Sequence, residues 1–281
     1  MAFDSDIFQI KKIDVHMHAR TRSKRFEDLP HAVKKLTKEM DKNKIIKALI
    51  LSRSCACSTE PEDRETTNKE TLAFTDMEPE RLYPVASVDV TEKSDKELEF
   101  IKKNHSRFRG IKLYPGYRPF YPADKICDPV YDLAEHYRLP VLFHSGDFAS
   151  STGKLKYAHP LNIDDLATDH PNLKIVICHF GNPWMIDAAE VAYKNENVYI
   201  DLSGLVTSQG GNKGKYTVLA DNISKAIYHM EGCNKILFGS DWPMGDASDT
   251  ILLINELKIK EDNFHEIFYK NAENLFNLHE R

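Results

Sequence analysis

At 281 residues with 41% hydrophobic side chains, the chain suits one large α/β barrel or two average domains and can bury a full core. Its 38 basic against 43 acidic residues give a formal charge of -5, which argues against nucleic acid or a membrane surface as partner and for a small-molecule substrate. The acidic start, Met1-Ala2-Phe3-Asp4-Ser5-Asp6, lacks the basic flank of a secretory signal, no apolar run approaches the roughly 18 residues of a membrane span, and an odd cysteine count of 5 reads as reduced thiols. A cytoplasmic location is therefore expected, with a homo-oligomer allowed.

The first periodic stretch is Ile13-Asp14-Val15-His16-Met17-His18. On a strand His16 and His18 share a face and can share one metal, while Ile13, Val15 and Met17 would pack against covering helices. A helix is expected over 31–43, a strand over 44–51, a mostly polar helix over 61–78, a strand over 81–90 and a helix over 93–104. A fourth strand, 108–114, precedes a helix that Asp128 and Pro129 would start as cap and first residue. Strand five is 140–144, and the irregular run 146–159 after it looks like an active-site loop. Asp164 would cap a short helix ending at Asp169. Strand six is 173–179, Asn182-Pro183 would open the next helix, and strand seven is 197–202. A helix over 216–231, strand eight over 235–241 and helices over 248–257 and 262–278 complete the chain. Eight strands alternating with helices, with no linker or change of composition, predict a closed (β/α)8 TIM barrel over residues 1–281 as a single domain.

Barrel enzymes carry their chemistry at the C-terminal ends of strands. Here strand one ends on His16 and His18, strand four on Lys112, strand five on His144, strand six on His179 and strand eight on Asp241. Imidazoles with one carboxylate suit a divalent ion, Zn²⁺ or else Mn²⁺ or Fe²⁺, with a position left for water. Asp241 could touch the ion and also accept the proton of the water. Alternation places Ile175 and Ile177 with an inward His179, and sends Val176 and Cys178 to the helices, so that Cys178 reads as packing. The close pair Cys55 and Cys57 lacks partner ligands. Arg20 follows the first metal motif, Arg53 ends strand two, and Tyr114, Tyr117 and Arg118 sit on the loop after strand four, where they could hold a substrate carboxylate, and Trp184 and Trp242 could wall the pocket.

The opening Asp-Val-His-Met-His, Phe-His-Ser-Gly at 143–146, the run ending Ile-Cys-His-Phe-Gly at 177–181, and Ile-Leu-Phe-Gly-Ser-Asp-Trp-Pro at 236–243 resemble the metal-dependent amidohydrolase superfamily. The branch that this chain resembles includes aminocarboxymuconate semialdehyde decarboxylase. The resemblance implies one metal on His16, His18, His144 and Asp241, with His179 beside it as a catalytic or polarising group. It also implies a binuclear alternative, in which a carboxylated Lys112 and His179 serve a second ion; against it stands an uncarboxylated Lys112 that orients substrate or pairs with Asp241. The leading expectation is hydrolysis of a C–N or C–O bond in a small carboxylate-bearing molecule. The alternatives are non-oxidative decarboxylation and, from another class, a metal-free binding or regulatory barrel.

Overall fold

The computed structural model describes residues 5–19, 29–53, 66–206 and 213–279. A short 3-10 turn, Ser5–Gln9, leads into β1 (Lys12–His18), α1 (Leu29–Lys42), β2 (Ile45–Leu51), α2 (Asn68–Thr75), β3 (Leu82–Ser87) and α3 (Asp95–Lys103). Then come β4 (Ile111–Leu113), α4 (Asp128–Tyr137), β5 (Val141–Phe143), α5 (Leu155–Ala158), α6 (Asn162–Asp169), β6 (Ile175–Ile177) and α7 (Met185–Lys194). The chain continues with β7 (Val198–Asp201), α8 (Lys213–His229), β8 (Ile236–Leu237), α9 (Ala247–Asn255), α10 (Asp262–His265), a π-helical turn (Glu266–Lys270) and α11 (Asn271–Leu275).

All eight strands are parallel and lie in sequence order in one sheet. Backbone bonds join its two edges: Val15 N–H donates to Phe238 O, Asp241 N–H to His16 O and His18 N–H to Trp242 O. The expected TIM barrel is thus observed. β4, β5, β6 and β8 are shorter than their apolar runs, because the ladder ends where the chain bends into the site.

One apolar cluster joins Ile13 and Val15 of β1 to Leu49, Leu51, Val85, Leu142, Val176, Cys178 and Leu237. Strands as far apart as β1 and β5 can meet only across the barrel, so these side chains fill its interior. Ala272, Leu275, Phe276 and Leu278 belong to the same cluster and close the lower end, where Lys47 Nζ also donates to Leu278 O. The larger cluster, with Met17, Ile175, Ile177, Ile200 and the apolar stripe Val33, Leu36 and Met40 of α1, lies between strands and helices.

This reverses two expectations. Ile13 and Val15 face inward rather than toward the helices, and on β6 Val176 and Cys178 face inward while Ile175 and Ile177 do not. On β1 the cause is a bulge. Asp14 pairs with Ala48 and Met17 with Ile50, so Val15 and His16 together stand opposite Leu49. The extra residue changes the parity and lets His16 follow Val15 into the barrel.

Helix starts differ in detail as well. Cys127, not Asp128, occupies the cap of α4, with Pro129 in the first turn as expected. Asp164 lies inside the first turn of α6, where its carboxylate is held by Lys194 and Asn195. The helix after Asn182-Pro183 begins only at Met185. The one reciprocal capping box among the described residues, Thr67 with Glu70, opens α2; the first part of the expected 61–78 helix, with Cys55 and Cys57, falls outside those residues.

Candidate metal centre

Strand β1 delivers His16 and His18 to the upper end of the barrel, both buried. The last strand stops at Leu237, and the chain runs on to Asp241, which takes a left-handed conformation (φ 62°). Its N–H is fixed on His16 O at 2.8 Å, so the strained residue is held by the same seam that closes the barrel. Asp241 Oδ1 comes to lie 3.2 Å from His18 Nε2 and 3.5 Å from His16 Nε2. It has no hydrogen-bond partner although it is buried.

A buried carboxylate oxygen facing two imidazole nitrogens without a well-formed hydrogen bond gathers ligand atoms that a cation would satisfy together. Two ligand atoms about 2.1 Å from a tetrahedral ion stand roughly 3.4 Å apart. The two Asp241 contacts bracket that value, so His16, His18 and Asp241 fit a divalent ion.

A second triad, His16, His179 and Asp201, has equally close ligand atoms, but its carboxylate is already filled with donors. Asp201 Oδ2 accepts from His16 Nδ1 at 2.9 Å, while Oδ1 accepts from the backbone N–H groups of His179 (2.9 Å) and Ser203 (3.0 Å) and from the Ser203 hydroxyl. Ser203 Oγ in turn lies 2.9 Å from both His16 Nδ1 and His179 Nδ1, and the latter also faces Ser203 O at 3.1 Å. This is a closed network that positions imidazoles rather than a place for an ion. Neither Asp201 nor Ser203 stands out in the sequence. The one available signal is that 201 and 203 share the inward parity of β7, opposite to Ile200 and Leu202.

His179 lies beyond β6, with Phe180, in consecutive left-handed conformations (φ 58° and 51°). The turn breaks the strand's alternation, so that Cys178 stays inside the barrel while the His179 ring reaches the site, its centroid 4.8 Å from His16 and 5.0 Å from His144. Gly204 (φ 67°) passes directly above; a Cβ there would sit 2.9 Å from His179 Nδ1 and 3.1 Å from Asp241 Oδ2. Only glycine provides both that conformation and that clearance.

His144 closes the ring of histidines. Its Nε2 donates to Asp147 O at 3.0 Å, which leaves Nδ1 as the basic nitrogen. No triad of close ligand atoms among the described residues includes it. Its ring packs on Tyr117 (4.7 Å) and Phe148 (5.0 Å), the latter from the loop expected to border the site. Arg53 lies over the rings of Tyr117 (5.4 Å) and Tyr114 (5.6 Å), and Tyr114 donates to Ser52 O.

Lys112 does not pair with Asp241. Its Nζ lies 2.8 Å from Cys178 Sγ deep in the barrel, and burial pushes that thiol well above its ordinary pKa. Arg118 is engaged elsewhere, in ion pairs with Asp89 and Glu92. Trp242 is half-buried with Lys35 Nζ 5.6 Å from its ring, Trp184 packs on His159, and Arg20 falls outside the described residues.

Burial holds the imidazoles neutral, the form a metal requires. It pushes His16 down to about 3, with the Lys112 charge adding to the effect, and it lowers His18 and His144 as well. For Asp241 burial acts in the opposite sense, but the contact with His18 and the proximity of His16 and His179 outweigh it and hold the carboxyl well below the usual range. Asp14, under the bulge, accepts from His16 N–H and Ser240 N–H through Oδ1, yet burial raises it to about 7.

The model of the amidohydrolase family matches residues 13–278. No curated protein matches significantly in sequence. Among solved structures, an uncharacterised TIM-barrel protein from Bordetella bronchiseptica is 21% identical, with a TM-score of 0.71, over 96% of this chain and 99% of the other. The 2,6-dihydroxybenzoate decarboxylase from Rhizobium is 18% identical (TM-score 0.68; 95% and 99% covered). A dihydroxybenzoic acid decarboxylase from Polaromonas, with bound manganese and the inhibitor 2-nitroresorcinol, is 17% identical (TM-score 0.66; 96% and 98% covered).

Proposed function

The chain belongs to the amidohydrolase family, and from that premise we propose that it is a metal-dependent, non-oxidative decarboxylase of a small, planar carboxylic acid. The observation that carries this reading is the triangle of His16 Nε2, His18 Nε2 and Asp241 Oδ1, continued through His179 to His144, whose ring packs on Tyr117 and Phe148, with Arg53 over Tyr117. The decarboxylases among its structural neighbours, one of them with manganese, support it.

His16, His18 and Asp241 would hold the ion, with His144 Nδ1 available as a further ligand. When bound, the ion supplies fixed positive charge for a substrate carboxylate or phenolate. Arg53 holds a second anionic group, and the aromatic side chains take the flat face of the substrate and exclude water. Decarboxylation replaces a C–CO2⁻ bond by C–H and needs one proton delivered to that carbon. His179 is placed to carry it: Nδ1 is anchored on Ser203, which leaves Nε2 for the substrate. Lys112 stays an uncarboxylated structural cation on Cys178, in a one-metal centre.

The unpartnered Asp241 Oδ1 favours a second reading, hydrolysis of a C–N or C–O bond, in which that oxygen takes a proton from water. Protein loaded with Mn²⁺ or with Zn²⁺ and incubated with a panel of hydroxybenzoates and unsaturated dicarboxylates should release CO2 with one proton taken up per turnover. Turnover only of esters, lactones or amides, without CO2, would establish the hydrolytic reading instead.

A further inference from the structure

The nitrogen through which a histidine binds metal is decided by what holds the other one. For His16 that partner is Asp201, a fully buried carboxylate at the end of β7. All four groups around it are donors: His16 Nδ1, His179 N–H, Ser203 N–H and the Ser203 hydroxyl. Three of these donors converge on Oδ1 and one, His16 Nδ1, on Oδ2, an arrangement that favours the ionised carboxylate, and its Oδ2 obliges His16 to carry its own proton on Nδ1. Nε2 is then the lone pair that faces Asp241 and His18. The same carboxylate, through Oδ1, grips the N–H of His179 in its left-handed turn, and Ser203 bridges the two rings with 2.9 Å contacts on either side.

We propose that Asp201 is a positioning residue, which sets the tautomer of His16 and the turn that aims His179, so that metal affinity and ring placement both depend on one carboxylate that touches neither metal nor substrate. This rests on the reading of His16 as a ligand, but not on which reaction follows. An amide at 201 has one acceptor oxygen for four donors. If that oxygen stays with the two backbone N–H groups, the NH2 faces His16 and forces the imidazole proton onto Nε2, where it blocks the metal.

The test uses the full-length chain with 15N-labelled histidine, observed with Zn²⁺ bound and again after removal of metal with chelator. In the wild type His16 should carry its proton on Nδ1 in both states. In Asp201→Asn the metal-free spectrum should place it on Nε2, and competition with a chelator should show Zn²⁺ binding weakened on the order of 10–100-fold, the usual consequence of losing such a partner. Ser203→Ala keeps the carboxylate, and should retain the Nδ1 proton and bind Zn²⁺ within about 3-fold of wild type while shifting the His179 resonances. The proposal is overturned by a folded Asp201→Asn protein with wild-type tautomer and affinity. It is overturned equally by a metal-free wild type with the His16 proton on Nε2, a result that needs no variant to fold. Absence of turnover on every acid tested would instead count against the proposed reaction and leave these readouts untouched.

Discussion

Asp241 combines two properties rarely required of one residue, a left-handed backbone and a functional carboxylate. Asparagine tolerates φ near 60° at least as well as aspartate and keeps one acceptor oxygen, so Asp241→Asn removes charge and proton capacity without disturbing the turn. The variant should melt within a few degrees of wild type and bind metal more weakly. At saturating metal it should lose roughly 10²-fold or more in turnover, the scale of lost acid–base help. Circular dichroism, metal titration and a rate assay separate the three. A wild-type rate at saturating metal would remove Asp241 from the chemistry. Asp241→Ala is the useful contrast, since it adds a backbone penalty of about 1–2 kcal/mol to the loss of the carboxylate.

Elements explain which parts of the molecule could be read from sequence. Strands β2 and β5 behave as alternation requires, and the strand-end position of His144 followed from it. Alternation failed on β1, where the bulge carries His16 across to the inner face, and on β6, where His179 leaves the ladder in a left-handed turn. The bulge on β1 has no glycine, and on β6 the glycine, Gly181 (φ 60°), comes only after the turn has begun; both departures are held by tertiary bonds, from Asp201 and from the seam with β8, that no local pattern records. Asp201 itself looked like an ordinary strand residue for the same reason. The floor of the barrel is a further element-scale feature hidden in a C-terminal helical run: α11 and the residues after it turn Phe276 into the interior cluster beneath β1 and β8. Phe276→Ala should therefore cost about 3–5 kcal/mol, the range for a buried aromatic, and be measurable as a lower urea midpoint at unchanged m-value. A loss under about 1 kcal/mol would mean that the plug contributes little.

At the scale of the whole molecule, the site concentrates groups whose protonation is coupled to folding, and the sign of the pH dependence follows from counting them. His16, His18 and His144 titrate lower in the folded chain than the ordinary value of 6.5, so below that value the unfolded chain binds protons that the folded one refuses. Stability is thus lost as pH falls. His16, with a folded value of about 3, alone contributes a loss of about 2 kcal/mol between pH 7 and pH 5. Asp14 works in the opposite direction: raised to about 7, it takes up a proton in the folded state over the same interval and returns a stabilisation of about 2 kcal/mol. Asp201 and Asp241, both depressed, add acid lability only below about pH 4, where the unfolded carboxylates protonate. Three imidazoles against one carboxyl leave a net loss. Urea denaturation of the chelator-treated protein should show a lower midpoint at pH 5 than at pH 7, and Asp14→Asn, which removes the offset while keeping an acceptor for His16 N–H and Ser240 N–H, should steepen the fall. Equal or greater stability at pH 5 would mean that the histidines are not held neutral by burial, and the centre would then lack the lone pairs on which a divalent ion depends.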